Sequence, residues 1–203
     1  MINFDILVNK NNPLDSNYIP VSLTITDQNE NNFHNYVDAN LKPRVASLIF
    51  PFILIMQEEA KKQGFNIIVD SGYRSYEYQL KIYEDIVKKK GKCHADKFVA
   101  LPGTSEHQTG LAIDIAYIKD GIYTDDVKET DDEFIWLSKN AHKFGFILRY
   151  PKDKENITGY SFEPWHFRFV GIPLSEYLYK NNLTLEEYHQ ELKLKRKKVE
   201  NIV

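Results

Sequence analysis

The chain has 203 residues, 42% hydrophobic and 27% charged, enough apolar material for the core of one folded domain and too much for a disordered segment. Its formal charge of −3 supplies no basic field for phosphate backbones or anionic lipid, so nucleic acid is not expected as a partner. A single cysteine, Cys93, excludes an internal disulfide and a cysteine zinc cluster, which leaves histidines and carboxylates to hold any metal.

Residues 1–40, rich in Asn, Asp and Pro, read as a packed arm of loops and short strands, ahead of a core over 41–182 and a C-terminal helix with a basic tail over 183–203. The opening MINFDILVNKNN has no basic start, apolar run or small-residue cleavage site, so the chain is expected in the cytoplasm, or outside the cell if a leader was removed. From Leu41, LKPRVASLIFPFILIMQEEAKKQG reads as one helix that starts near Pro43 and ends before Gly64. Pro51 should kink or divide that helix unless it lies in the first turn. The apolar run from Val45 to Met56 is too short for the roughly 20 residues that cross a bilayer.

Residues 66–70, NIIVD, are β-branched and run into SGYRS, a strand entering a loop, with Arg74 at its end. Tyr76 to Lys90 has helical spacing in Leu80, Tyr83 and Val87. Residues 110–118, GLAIDIAYI, predict a central strand, followed by an acidic loop from Lys119 to Asp132 and a helix carrying Phe134, Leu137 and Ala141 that Gly145 closes. FILRY and PWHFRFV predict neighbouring antiparallel strands, and Thr184 with Glu187 makes a capping box for a last helix that decays into the solvated run KLKRKK. Without repeats or low-complexity linkers, the pattern is α+β: helices flanking one mixed sheet.

Two stretches carry chemistry. In SEHQTGLAID, His107 and Asp114 lie seven positions apart, with Gly110 between them to allow a tight chain path. In EPWH, Glu163 precedes His166 by three, and Pro164 rules out a helix interior. Two imidazoles and one carboxylate leave a fourth tetrahedral position open for water, as catalytic zinc requires. Glu163 is left free to take a proton from that water during attack on an amide carbonyl. Taken singly, each histidine is more often structural than ligating; the combination favours the metal.

The motifs SGYRS, ALPGTSEHQTGLAID, FGFILRYPKDKENITG and EPWHFRFVG resemble those of the VanY and VanXY D,D-peptidase family, and the opening LVNKNNPL and the terminal LTLEEYH do so as well. The resemblance implies a Hedgehog/D,D-peptidase fold with a largely antiparallel mixed sheet and one Zn2+ in a cleft. It implies His107, Asp114 and His166 as zinc ligands and Glu163 as general base and later acid. Arg74 would act on the scissile carbonyl, and Gln79 and Ser105 would bind the peptide and its terminal carboxylate. Trp165 and Tyr73 are candidates for the cleft wall, whereas His34, His94, His142 and His189 match no motif and are left out.

The expected activity is removal of terminal D-Ala from peptidoglycan precursors or stem peptides, with hydrolysis of free D-Ala-D-Ala as a second activity. The absence of a secretion signal resembles the soluble VanXY type, which acts on cytoplasmic precursors, and vancomycin resistance would then be one of the roles open to the chain. An L,D-carboxypeptidase or peptidoglycan endopeptidase on the same zinc site, or a silent zinc-stabilised binding module, are the alternatives, because metal ligands do not encode stereochemistry.

Overall fold

The computed structural model describes residues 3–26 and 42–200, so the later part of the arm, including His34, lies outside the described residues. In the described part of the arm, Asn9 bridges Asn12 and a short strand, β1 (Leu23–Ile25), pairs antiparallel with β2 (Arg44–Ala46). The single helix expected from Pro43 is therefore three elements: β2, a 3-10 turn over Ser47–Ile49, and helix α1 (Phe50–Lys62). Pro51 lies in the first turn of α1, where its missing N–H leaves no helical bond unmade, so it starts the helix and does not kink it.

The central sheet follows the chain as β3 (Ile67–Ser71), β4 (Ala112–Lys119), β5 (Ile122–Thr124), β6 (Phe146–Leu148) and β7 (His166–Phe169). Its order is β3-β4-β7-β6, with β5 folding back on the far end of β4, and every pairing is antiparallel. The acidic loop thus contains a strand that sequence reasoning missed. On one face, Ile113, Ile115 and Tyr117 of β4 and Phe167 and Phe169 of β7 pack on Ile49, Ile53, Met56 and Ala60 and on Phe134 and Leu137 of α4 (Asp132–Asn140). Strand side chains alternate between faces, so Asp114 and His166 point the other way.

Helix α2 (Tyr76–Lys90) has the expected bounds, and Ser75 caps it by accepting from the Tyr78 N–H at 3.1 Å. It is followed by α3 (Lys92–Phe98), while α5 (Glu155–Thr158) and α6 (Ile172–Asn181) flank β7 in sequence. The last helix, α7 (Leu185–Glu200), stays helical through the basic run, as lysine and arginine favour both helix and its C-terminal end. No helix among the described residues is long and apolar enough to cross a membrane.

The capping box forms in both directions: Glu187 N donates to Thr184 Oγ1 at 3.2 Å, and Thr184 N to Glu187 Oε2 at 2.7 Å. Thr184 is buried, and its replacement by alanine is expected to lower the unfolding free energy by about 1 kcal/mol in urea titration. An unchanged midpoint would show that α7 does not depend on its cap.

Candidate metal centre and cleft

Strand register makes half of the site. Asp114 of β4 sits directly opposite His166 of β7, both on the face turned away from the apolar core. The third group arrives from a 3-10 turn, Glu106–Thr109, which Gly110 closes in the left-handed region at φ 68°. A Cβ at Gly110 would come within 3.0 Å of the Ala46 nitrogen, which itself donates to the Gly110 carbonyl at 2.9 Å. The turn is thereby tied to β2, and His107 is held over Asp114.

His107, Asp114 and His166 form a group whose donor atoms all lie within 4.8 Å of one another. His107 Nε2 is 3.2 Å from Asp114 Oδ2, and His166 Nδ1 is 3.0 Å from Asp114 Oδ1. Tetrahedral zinc with bonds of ~2.0 Å sets neighbouring ligand atoms about 3.3 Å apart; each histidine meets a different oxygen of Asp114 near that distance, which gathers the three side chains around room for such an ion.

The protonation pattern gives a sharper test of fit. His107 Nδ1 lies 2.6 Å from the Gly72 carbonyl, which can only accept, so Nδ1 carries the proton and Nε2 a bare lone pair. That Nε2 is buried and has no hydrogen-bond partner among the described residues. A lone pair facing a carboxylate oxygen at this distance is repulsive unless a cation joins them, and a divalent metal is such a cation.

The electrostatics agree. Burial, together with nearby Arg74, lowers the His107 pKa to about 4, so its imidazole is neutral and able to ligate at neutral pH. Burial alone would raise the Asp114 carboxyl, but the bond from His166 and the Arg74 guanidinium outweigh it and hold the group well below the usual carboxylate range. Burial also works to lower His166, yet its bonds to Asp114 and Glu106 raise it to about 9. The pocket between these carboxylates is built to stabilise positive charge.

The centre floors a cleft of about 400 Å³ whose lining includes Arg74, Gln79, Ser105, Tyr160, Glu163 and Trp165. Arg74 donates to Asp114 Oδ2 at 2.7 Å, to Ser71 Oγ at 3.2 Å and to Gln79 Oε1 at 3.2 Å, and Gln79 in turn donates to the Ala100 carbonyl at 2.9 Å. In this arrangement Gln79 holds Arg74. Glu163 lies in the turn before β7, anchored by its N–H to the Tyr150 carbonyl at 3.2 Å, with Oε2 3.9 Å from His166 Nδ1. Burial raises its carboxyl above the ordinary range, which suits a proton acceptor.

All seven candidate site residues therefore meet in one cleft. Tyr73 does not line it: its ring lies against the Arg44 guanidinium, 5.6 Å away, and its N–H donates to the Arg44 carbonyl, which turns it toward β2. Sequence reasoning missed Tyr150, whose ring lies 4.9 Å from that of His166, Tyr160, whose ring lies 4.7 Å from that of Tyr150, and the buried Glu106. Glu106 precedes His107 within the same motif; its partners are distant in sequence, and no local spacing reveals it.

A family model described as VanY, D-alanyl-D-alanine carboxypeptidase, matches residues 42–172. The putative carboxypeptidase YodJ of Bacillus subtilis is 41% identical over 187 residues, covering 92% of this chain and 67% of its own length. The bifunctional D-Ala-D-Ala dipeptidase and carboxypeptidase VanXYC of Enterococcus gallinarum is 36% identical over 189 residues, covering 92% of this chain and 93% of that protein. Among solved structures, the LdcB LD-carboxypeptidase superposes with a TM-score of 0.80 at 40% identity, over 91% of this chain and 84% of the other. A point mutant of the vancomycin resistance D,D-pentapeptidase VanY from the VanB-type cassette, in complex with Zn(II), gives 0.74 at 38% identity, over 92% and 99%.

Proposed function

We propose, from the premise that the chain belongs to the VanY D-alanyl-D-alanine carboxypeptidase family, that it is a zinc hydrolase removing the terminal D-Ala from peptidoglycan precursors or stem peptides, and cleaving free D-Ala-D-Ala as well. The observation that carries the metal assignment is the buried, unpartnered Nε2 of His107 facing Asp114. In this reading His107, Asp114 and His166 hold zinc.

When bound, zinc acidifies a water and polarises the scissile carbonyl. Glu163, at the cleft edge of the metal centre, takes the water's proton as it attacks and returns it to the departing amine of D-Ala. Arg74, oriented by Ser71, Gln79 and Asp114, stabilises the charge that develops on the carbonyl oxygen. Ser105, buried on the cleft wall, is assigned to the terminal carboxylate. Location is part of the proposal: the reaction is placed on cytoplasmic precursors, and recovery of the chain from the culture medium would move it outside.

A second reading, an L,D-carboxypeptidase, is favoured by the likeness to LdcB. The zinc-loaded protein would be given D-Ala-D-Ala, a pentapeptide ending in D-Ala-D-Ala, and a tetrapeptide ending in one D-Ala, with products assigned by mass spectrometry. Release of D-Ala from the first two is the expected result. Release from the tetrapeptide alone would establish the second reading, and no release from any would overturn both.

A further inference from the structure

Glu106 has no part in the reaction described above, yet it faces the metal centre. Its side chain is fully buried between two fully buried arginines: Oε1 accepts from Arg149 Nε at 2.7 Å and from Arg168 Nη1 at 2.8 Å. Its other oxygen, Oε2, faces His166 Nε2 at 3.4 Å. Both arginines are fastened further out. Arg149 makes a bidentate pair with Glu186 of α7 at 2.8 and 2.6 Å, and Arg168 donates to the arm carbonyls of Phe4 and Ile6 at 3.1 and 2.9 Å. Asn9 of the arm also donates to Glu186, at 3.1 Å.

We infer that Glu106 is a positioning residue that fixes the proton of His166 on Nε2 and so leaves Nδ1 for the metal, and that α7 and the N-terminal arm support the metal centre through Arg149 and Arg168. The argument is one of donors and acceptors. With Oε1 occupied by two guanidinium groups, Oε2 is the oxygen left to meet His166, and an ionised carboxylate can only accept. The proton must then sit on Nε2. Nδ1 faces Asp114 Oδ1, 3.0 Å away, and is the nitrogen that gives up its proton where the proposed ion would lie.

Burying an ionic cluster gives a fold little that well-packed apolar side chains would not, so stability alone does not account for it. An apolar cluster cannot accept from an imidazole. Carboxylates that orient ligating histidines typically strengthen metal binding by about 10–100-fold.

This inference rests on the reading of His166 as a zinc ligand but not on the substrate, and the tests avoid turnover of the loaded enzyme as sole readout. In Glu106→Gln, the arginines claim the amide oxygen and the amide NH2 is left facing Nε2, so a donor replaces the acceptor. Zinc affinity, read by competition with a chromophoric chelator, is expected to fall about 10–100-fold, with kcat restored when zinc is in excess because Glu106 acts through His166 and the metal. Since that variant leaves buried arginine charge uncompensated, a second one, E106L/R149M/R168M, replaces the cluster by apolar side chains and is expected to show the same loss with its circular dichroism retained.

A folded variant of either kind that binds zinc as the parent does would overturn the inference. A third measurement needs no variant: in the zinc-loaded parent labelled with 15N, the His166 Nε2 proton is expected as a slowly exchanging imidazole resonance. Its absence, with the metal on Nε2, would sink the inference while leaving the zinc-site reading intact. A parent chain that binds no zinc would sink that reading itself, and zinc binding without D-Ala release would count against the substrate alone.

Discussion

Alanine in place of Glu163 is expected to leave the zinc content of the protein at one ion per chain and to lower D-Ala release by about 10²–10⁴-fold, the usual contribution of a positioned general base. The expectation follows from placement. Glu163 Oε2 stands 3.9 Å from His166 Nδ1, outside the set of three donor atoms that approach one another closely, so its removal subtracts a proton acceptor and no ligand. Its carboxyl is also raised by burial, which brings it nearer the working range of a base at neutral pH. Metal analysis beside a D-Ala release assay separates the possibilities. Zinc lost in proportion to activity would assign Glu163 to the metal shell and remove it from the proton-transfer role.

The complementary substitution, His107→Ala, is expected to empty the centre. It removes the lone pair that faces Asp114 and leaves the Gly72 carbonyl without the imidazole that donates to it. Turnover should fall to that of the chelator-stripped parent. Thermal unfolding adds a readout free of substrate. A ligand present at 1,000 times its dissociation constant stabilises the native state by about 4 kcal/mol, so added zinc should raise the melting temperature of the parent by several degrees and leave that of the variant unmoved. A His107→Ala protein that holds a full equivalent of zinc and hydrolyses peptide normally would withdraw His107 from the ligand set.

What the sequence made legible was whatever short-range periodicity and residue chemistry encode. Tyr76–Lys90 was readable to its ends from the helical spacing of Leu80, Tyr83 and Val87, and the Ser75 cap found in the structure agrees with that start. That His107, Asp114 and His166 come together was readable because only a few residue types can ligate zinc without cysteine, and they sit at the two most chemically distinctive stretches of the chain. Elements whose identity depends on partners were not. Arg44–Ala46 continues an apolar run that looks helical, and it is a strand because β1 lies beside it. Ile122–Thr124 hides in an acidic loop and exists through its pairing with β4. Glu106 meets Arg149 and Arg168 across separations of 43 and 62 residues, which no window along the chain spans. Tyr73 was misplaced for the same reason, since the direction it faces is decided by Arg44.

Gly72 shows how a position can govern a metal centre without chemistry of its own. It offers His107 a carbonyl, and a methyl group on its α-carbon would fall 2.1 Å from the Arg44 carbonyl oxygen, backbone against backbone, with no side chain able to swing aside. Any residue but glycine must therefore push the loop after β3 away from β2, taking the carbonyl with it. In a saturation screen for activity, position 72 would be as intolerant as the ligands themselves, and a survey that looked only for residues with reactive side chains would pass it by.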